Sequence, residues 1–325
     1  MMENTAIKKV LVTGGAGFIG SNFVRYFLDQ HPEREVINLD KLTYCGNPEN
    51  LKDVERENRY TFIQSDVCDP HAVMSAMEGA DAVIHFAAES HVDNSIKDPF
   101  IFTRTNVLGT HTLLDAAYTC KIKRFLHIST DEVYGSIAEG SFKEDAPFNP
   151  SSPYAASKAS AELIAQGFHH TFGVPLLVVR LSNTFGPYQY PEKLIPLFIT
   201  NLLKNKKVPL MGDGMHVRSW IYVLDACRAI DFVFTNGGIG KTYNVPGTYE
   251  LPNKEVTRIL LSLLHKDETV IQQIPDRLGH DRRYSIDGTR LQKLGWRARY
   301  DLDAVFRETV EWYVNNESWW KRLKK

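Results

Sequence analysis

Lys8-Lys9-Val10-Leu11-Val12-Thr13-Gly14-Gly15-Ala16-Gly17-Phe18-Ile19-Gly20 carries the first strong structural signal in this 325-residue chain. Its apolar start reads as a short buried strand, and the Ser21-Asn22-Phe23-Val24-Arg25-Tyr26-Phe27-Leu28 that follows reads as a helix. Between them, glycines at 14, 17 and 20 let the backbone turn tightly and approach a pyrophosphate. The helix N-terminus then faces the anion with free N–H groups and a partial positive charge. A second apolar run, Glu35-Val36-Ile37-Asn38-Leu39, ends in Asp40, twenty residues after Gly20. Dinucleotide sites place an acid there, on the ribose 2′-hydroxyl. A carboxylate at that point repels a 2′-phosphate, so the pattern predicts NAD rather than NADP. Lys41 is the one adjacent charge that works against this preference.

The first half goes on alternating apolar strands with helical segments, as a parallel sheet with crossovers requires. Strands are expected at 60–64, before Ser65-Asp66-Val67; at 82–86, before Ala87-Ala88-Glu89-Ser90-His91; at 125–128, before Ser129; and at 175–181. Helices are expected at 72–77, as one long element over 99–118, and around Tyr154 and Lys158. The fold class is therefore α/β: a doubly wound, Rossmann-type parallel sheet with a smaller C-terminal substrate lobe. Ligands bind beyond the carboxyl ends of such strands, and Asp40, Asp66, Ala87, Thr130 and Asn183 all lie at such ends. From Asn183 onward, prolines at 187, 191, 196, 209, 246, 252 and 275 break the chain into short segments. The expected division is a dinucleotide-binding domain over 1–182, carrying the catalytic residues, and a substrate lobe over 183–325, with a strand at 242–245 returning to the main sheet. The tail from Asp301 reads as an amphipathic helix with a basic end, its Trp312, Tyr313, Trp319 and Trp320 as packing.

Composition sets bounds. The chain is 43% hydrophobic and 24% charged, with a formal net charge of −1. It has no basic excess to suit nucleic acid, no apolar run of the ~20 residues that a membrane helix needs, and no apolar signal core at its start. Cys45, Cys68, Cys120 and Cys227 have neither close pairing nor metal spacing, and no His/Cys/carboxylate cluster reads as a metal site. The expectation is a cytoplasmic protein without metal.

Chemistry is concentrated in two motifs. Tyr154-Ala155-Ala156-Ser157-Lys158 puts a phenol and an ammonium one helical turn apart. A nearby cation lowers a phenol's pKa and makes it a usable base. Ser129-Thr130-Asp131-Glu132-Val133-Tyr134-Gly135 adds two adjacent carboxyls at a strand end. Like-charge proximity favours one neutral and one ionised group, one to give a proton and one to take it. Tyr134 is the second candidate base, but it lacks a cation four residues on.

These motifs resemble the extended short-chain dehydrogenase/reductases and, within them, the dTDP-glucose 4,6-dehydratases. Asp40-Lys41-Leu42-Thr43-Tyr44, Ala87-Ala88-Glu89-Ser90-His91-Val92-Asp93, Pro191-Glu192-Lys193-Leu194-Ile195-Pro196 and Gly279-His280-Asp281-Arg282-Arg283-Tyr284 extend the likeness over nearly the whole chain. Related 4-epimerases keep the serine or threonine but carry no Asp-Glu pair like Asp131-Glu132. The chain departs from the family pattern at Leu278, at Ser219 and at Met211.

The resemblance implies NAD-dependent conversion of dTDP-glucose to its 4-keto-6-deoxy product in deoxysugar biosynthesis, such as that of rhamnose. C4 is oxidised, water is eliminated across C5–C6, and hydride returns to C6. It implies Tyr154 with Lys158 for the C4 proton, Glu132 as the C5 base, Asp131 as the acid to the C6 hydroxyl, and Thr130 as a hydrogen-bond partner. It implies cofactor contacts at Gly14, Gly17, Phe18, Ile19, Gly20, Asp40, Lys41, Asp66, Val67, Ala87, Ala88, Tyr154 and Lys158. Substrate contacts are implied at Ser90, His91, Thr130, Asn183, Lys193, Leu194, Arg218, Asn253, Arg277 and His280, and a homodimer through the helices starting near Pro99 and Tyr154. Two rivals remain. A nucleotide-sugar 4-epimerase would share the fold, NAD, Tyr154 and Lys158, but would not need the two carboxyls. A non-catalytic NAD-sensing protein would not need the Tyr-Lys pair.

Overall fold

A computed structural model describes residues 7–324. In chain order the elements are β1 (Lys9–Thr13), α1 (Phe18–Gln30), β2 (Glu35–Asp40), β3 (Tyr60–Gln64), α2 (Pro70–Met77), β4 (Ala82–His85), α3 (Val92–Lys97), α4 (Pro99–Phe102), α5 (Gly109–Thr119), β5 (Arg124–Thr130) and α6 (Pro153–Phe172). There follow β6 (Leu176–Leu181), β7 (Asn183–Phe185), α7 (Leu194–Leu203), β8 (Val208–Met211), β9 (Val217–Tyr222), α8 (Val223–Asn236), β10 (Thr242–Val245), β11 (Tyr249–Pro252), α9 (Asn253–Leu263), β12 (Ile271–Ile274), α10 (Thr289–Lys293), α11 (Leu302–Asn315) and α12 (Glu317–Leu323). They form two compact units. The first runs to Thr130 and adds Ser152–Arg180 and Cys227–Tyr243; the second comprises Asp131–Ser151, Leu181–Ala226 and the chain from Asn244.

The main sheet has seven strands in the order β10-β6-β5-β4-β1-β2-β3. β1 pairs in parallel with both β2 and β4, Thr13 lying opposite Leu39 on one side and His85 on the other. Strand order reverses at β1, the switch point where open α/β sheets bind ligands. A parallel sheet covered on both faces needs continuous apolar strands rather than alternating ones. β4 and β6 are accordingly buried at every residue. Leu11, Val83, Phe125 and Val178 join Leu113, Leu114 and Ala165 from the crossover helices in one core cluster. Emptying such a position, as in Phe125→Ala, typically costs about 3–5 kcal/mol.

The helix expected over 99–118 is interrupted. Thr103–Leu108 forms a π-turn between α4 and α5, and insertions of this kind re-aim side chains near functional sites. His169 on α6 is half-buried, and its ring pairs with the Val174 carbonyl at 2.7 Å.

In the second unit, β11-β9-β7 form a small sheet and β12-β8 a parallel pair. The tail is two helices rather than one, separated at Asn316. Its aromatics are packing, as expected. The Tyr188 ring lies 4.6 Å from that of Trp312 and 5.8 Å from that of Trp319. Tyr313 donates to the Gln189 carbonyl. Trp320 Nε1 donates to the Tyr313 carbonyl at 2.8 Å.

The polar groups under the main sheet make the first unit acid-sensitive. His85 is held between Thr13 Oγ1 (2.7 Å) and Thr110 Oγ1 (3.0 Å), while neither ring nitrogen of buried His127 has a hydrogen-bond partner among the described residues. Burial, with Lys158 adding to it, pushes His85 down to about 3 and His127 well below its ordinary value. Both imidazoles stay neutral in the folded chain and take up protons once it unfolds. Their stabilisation is complete above about pH 6.5 and is lost as pH falls below it. The urea midpoint should therefore drop between about pH 6.5 and 4.5. His127→Leu should shallow that slope by up to about 1.4 kcal/mol per pH unit; an unchanged slope would refute the assignment.

Candidate active site

In the first unit the glycine loop has the shape that its sequence demands. Gly14 has φ +73°, and a Cβ added there would stand 2.5 Å from the Ala87 nitrogen, so only glycine fits. Gly17 is the N-cap residue of α1, whose first turn carries Phe18, Ile19 and Gly20. Asn38 Oδ1 accepts from Gly15 N at 3.0 Å, tying the loop to β2. Asp40 is buried, and its two oxygens accept from Ala16 N (2.9 Å) and Leu42 N (2.8 Å). Burial raises its pKa, and these two bonds oppose that. Lys41, the charge that works against NAD, pairs with Asp66 at 2.7 Å, which offsets its positive charge. Val67 beside it is buried. This cradle of glycine backbone, helix N-terminus and buried acid fits a dinucleotide.

The loop after β4 holds Ala87, Ala88, Ser90 and His91, the last being the residue before α3, with Nε2 3.8 Å from Asp93. Its anchor is a residue that sequence reasoning missed. Asn106, buried in the π-turn, accepts from Glu89 N at 2.8 Å and donates to the Glu89 carbonyl (3.0 Å) and to Ser157 Oγ (2.8 Å). One amide thus ties this loop to the helix that carries the Tyr-Lys pair.

Ser152 caps that helix by accepting from Ala155 N at 3.1 Å, and Pro153 starts it. Tyr154 and Lys158 are both buried, as is Thr130 at the end of β5. Tyr154 packs edge-on against Phe102 at 6.3 Å. Lys158 Nζ donates to the Ile128 carbonyl at 2.7 Å, and burial pushes its pKa down to about 8 against the pull of Glu162. It is still largely charged at neutral pH and can stabilise a phenolate. Glu162 is in turn paired with buried Arg180.

In the second unit Asp131 and Glu132 lie on the 3₁₀ turn Asp131–Tyr134, directly after Thr130. This is not a solvated bend: Asp131 is buried and Glu132 half-buried. Burial raises the pKa of Glu132, opposed by Arg277, Lys193 and Arg218 and aided by Asp281. Tyr134 donates to Asn244 Oδ1 at 3.0 Å and stacks on Phe142, which gives it a structural role and leaves Tyr154 as the candidate base. Lys193 and Leu194 open α7, and Asn253 opens α9. Arg218 Nη2 donates to the Asp281 carbonyl at 2.9 Å, and its guanidinium lies 4.2 Å over the Tyr284 ring. Asn183 Oδ1 and Asn253 Oδ1 are buried with no hydrogen-bond partner among the described residues; such acceptors suit a polar ligand.

Sequence spacing gave no metal signal, yet His216, Asp276 and His280 converge within 4.8 Å. The His216 and His280 rings stack at 3.7 Å, and the Asp276 carboxylate pairs with both. We read this trio as a hydrogen-bonded clamp on His280. Of the departures from the family pattern, Ser219 is buried and accepts from Gly247 N at 2.9 Å, while Leu278 is exposed.

Comparisons with known proteins agree with this geometry. A model of the GDP-mannose 4,6 dehydratase family matches residues 11–309. A dTDP-glucose 4,6-dehydratase of Streptomyces antibioticus is 47% identical, over 97% of this chain and 95% of its own. The crystal structure of a dTDP-glucose 4,6-dehydratase from Streptomyces venezuelae, with NAD bound, superposes with a TM-score of 0.96 at 48% identity, covering 97% of this chain and 100% of that one. A UDP-glucose 4-epimerase of Thermotoga maritima has the same fold at 27% identity, with a TM-score of 0.88 and coverage of 95% and 99%. The glycine cradle, the buried acid after β2 and the Tyr154–Lys158 pair on α6 define a dinucleotide-dependent enzyme of the extended short-chain dehydrogenase class. Within that class the chain belongs to the dTDP-glucose 4,6-dehydratase family.

Asp40→Ala should relax the choice of cofactor. Fluorescence titration should show weaker NAD binding and a smaller gap between NAD and NADP. The two backbone N–H groups left behind should also lower the melting temperature, by an amount set by about 1–3 kcal/mol per buried donor. An unchanged preference for NAD would remove Asp40 from that role.

Proposed function

We propose that this chain is an NAD-dependent hydro-lyase that converts dTDP-glucose to dTDP-4-keto-6-deoxyglucose in deoxysugar biosynthesis. The observation that carries this reading is the acid pair Asp131-Glu132, set on a turn directly after Thr130 and largely withdrawn from water. NAD, when bound, would supply a reversible hydride acceptor for C4 and donor to C6. The first unit would hold it through Gly14, Gly17, Gly20 and Asp40, and the second would hold the nucleotide sugar through Lys193, Arg218, Asn253, Arg277 and His280. Arginine suits this because its fork can bind phosphate oxygens bidentately.

The order of proton movements follows from acidity. A C5–H on an unactivated hexose is too weak an acid to be removed, but a ketone at C4 acidifies it. Tyr154, its phenolate stabilised by Lys158, takes the C4 hydroxyl proton while Thr130 hydrogen-bonds the C4 oxygen. Glu132 takes the C5 proton. Asp131, protonated, supplies the proton with which the C6 hydroxyl leaves as water. Burial raises the pKa of Glu132 and so strengthens it as a base. A 4-epimerase would not need this pair, and an NAD sensor would not need Tyr154 and Lys158.

Mass analysis after incubation with dTDP-glucose, UDP-glucose and GDP-mannose tests the reading. Loss of one water is expected with dTDP-glucose, whereas an isomer of unchanged mass would mark an epimerase. Glu132→Gln and Asp131→Asn should still oxidise C4 and then stall. The signature is a slow rise in the absorbance of reduced cofactor, with dehydrated product falling ~10²–10⁴-fold. Dehydration at the parental rate in both variants would make the carboxyls structural.

We also propose a cytoplasmic homodimer. The four cysteines are free, in keeping with a reducing compartment, and no helix of the described residues is long and apolar enough to cross a membrane. The first unit exposes Phe100 (74%), Leu108, Tyr118, Leu163 and Phe172 along the 99–119 segment and α6. Exposed apolar patches of this kind mark association surfaces. Light scattering should give a dimer for the parent and a monomer for Leu108→Glu/Leu163→Glu; a double variant that stays dimeric would place the interface elsewhere.

A further inference from the structure

The motif Gly279-His280-Asp281-Arg282-Arg283-Tyr284 contains two buried residues, Asp281 and Tyr284, to which the mechanism above gives no work. Tyr284 is buried, and its hydroxyl stands 2.9 Å from Asp281 Oδ2 and 3.5 Å from Glu132 Oε2. The same Asp281 oxygen accepts from Ser151 Oγ. Arg218 contacts both, donating to the Asp281 main-chain carbonyl at 2.9 Å and lying 4.2 Å over the Tyr284 ring. A phenol has one proton to give. With carboxylates at 2.9 and 3.5 Å, Asp281 takes it and Glu132 is left with a long, weak contact.

The charged surroundings of Glu132 sharpen the point. Burial raises the pKa of Glu132; Arg277, Lys193 and Arg218 favour its carboxylate, and Asp281 opposes it; Asp131 precedes it on the same turn. These three cations work against the basicity that burial gives Glu132. Asp281 acts against them twice, by its negative charge and by drawing away the phenol proton that would otherwise stabilise the Glu132 carboxylate.

Resting on the reading of Glu132 as the C5 base, we infer that Asp281 and Tyr284 are positioning residues that together set its basicity. The pair makes opposite predictions for its two members. Asp281→Asn removes a charge and releases the phenol to Glu132, so Glu132 becomes a weaker base that titrates at lower pH. The Arg218 contact is to main chain and survives. Tyr284→Phe keeps the ring under Arg218 but removes the donor and leaves the Asp281 charge unscreened, so Glu132 titrates at higher pH.

The experiment is the initial rate of solvent deuterium incorporation at C5 during turnover of dTDP-glucose, measured from about pH 5 to 9. The midpoint of the acid limb should fall by roughly half a unit or more in Asp281→Asn and rise by a similar amount in Tyr284→Phe. Midpoints that stay within about 0.2 unit of the parent, or that move in the same direction, would overturn the inference. Glu132→Gln, run alongside, separates the two levels. Exchange that survives there overturns Glu132 as base and this pair with it; exchange abolished there but unmoved in the other two overturns the pair alone.

Discussion

Holding charge away from water is the constraint on which both units are built. Desolvation penalises the charged form of any group, yet the proposed chemistry needs a cation at Lys158 and a carboxylate at Glu132. Burial pushes the first down to about 8 and the second upward. Each is kept usable by a distinct set of neighbours. Lys158 has the Ile128 carbonyl and, one turn on, the Glu162 that is itself neutralised by Arg180. Glu132 has three cations and one competing anion. Of these supporting groups, Glu162, Arg180, Arg218 and Asp281 occupy buried positions that an apolar core would otherwise fill. A buried ion pair such as Glu162–Arg180 is weak evidence for extra stability; its place here is beside a lysine whose charge has to persist.

The same sheet serves more than one reaction. The Thermotoga 4-epimerase shares the fold at a TM-score of 0.88, so the sheet and its glycine loop do not distinguish epimerisation from dehydration. On the function proposed above, the distinction sits in two residues of one short turn. Because that turn follows β5 directly, the acid pair is in register with Thr130 by covalent connection alone. A strand end that already holds a hydrogen-bonding hydroxyl gains an acid and a base by extending one turn.

What the sequence disclosed and what it hid follow from the range of each interaction. The glycine loop, the acid after β2 and the Tyr154–Lys158 pair are local patterns, each set by backbone geometry within a few residues. They were legible, as were the strands buried on both faces, whose apolar runs are continuous. The groups that hold them were not. Asn106 reaches Glu89 and Ser157 across 17 and 51 residues, and Tyr284 meets Glu132 across 152. The π-turn that aims Asn106 leaves no periodic trace, and the break at Asn316 fell inside what reads as one amphipathic helix. The convergence of His216 with Asp276 and His280 was likewise invisible, because its members lie on separate segments with no motif spacing.

The aromatic packing of the tail has a spectroscopic consequence. All five tryptophans, Trp220, Trp296, Trp312, Trp319 and Trp320, belong to the second unit, and none to the first. Three of them lie on the two terminal helices, where Trp312 and Trp319 contact Tyr188 and Trp320 is fully buried. Indole emission from this chain is therefore a built-in optical label for one unit alone. An unfolding curve followed by tryptophan fluorescence traces the second unit directly, whereas circular dichroism averages over both. Where the two curves part, the gap between them times the loss of the NAD-binding sheet against that of its neighbour, with no dye attached.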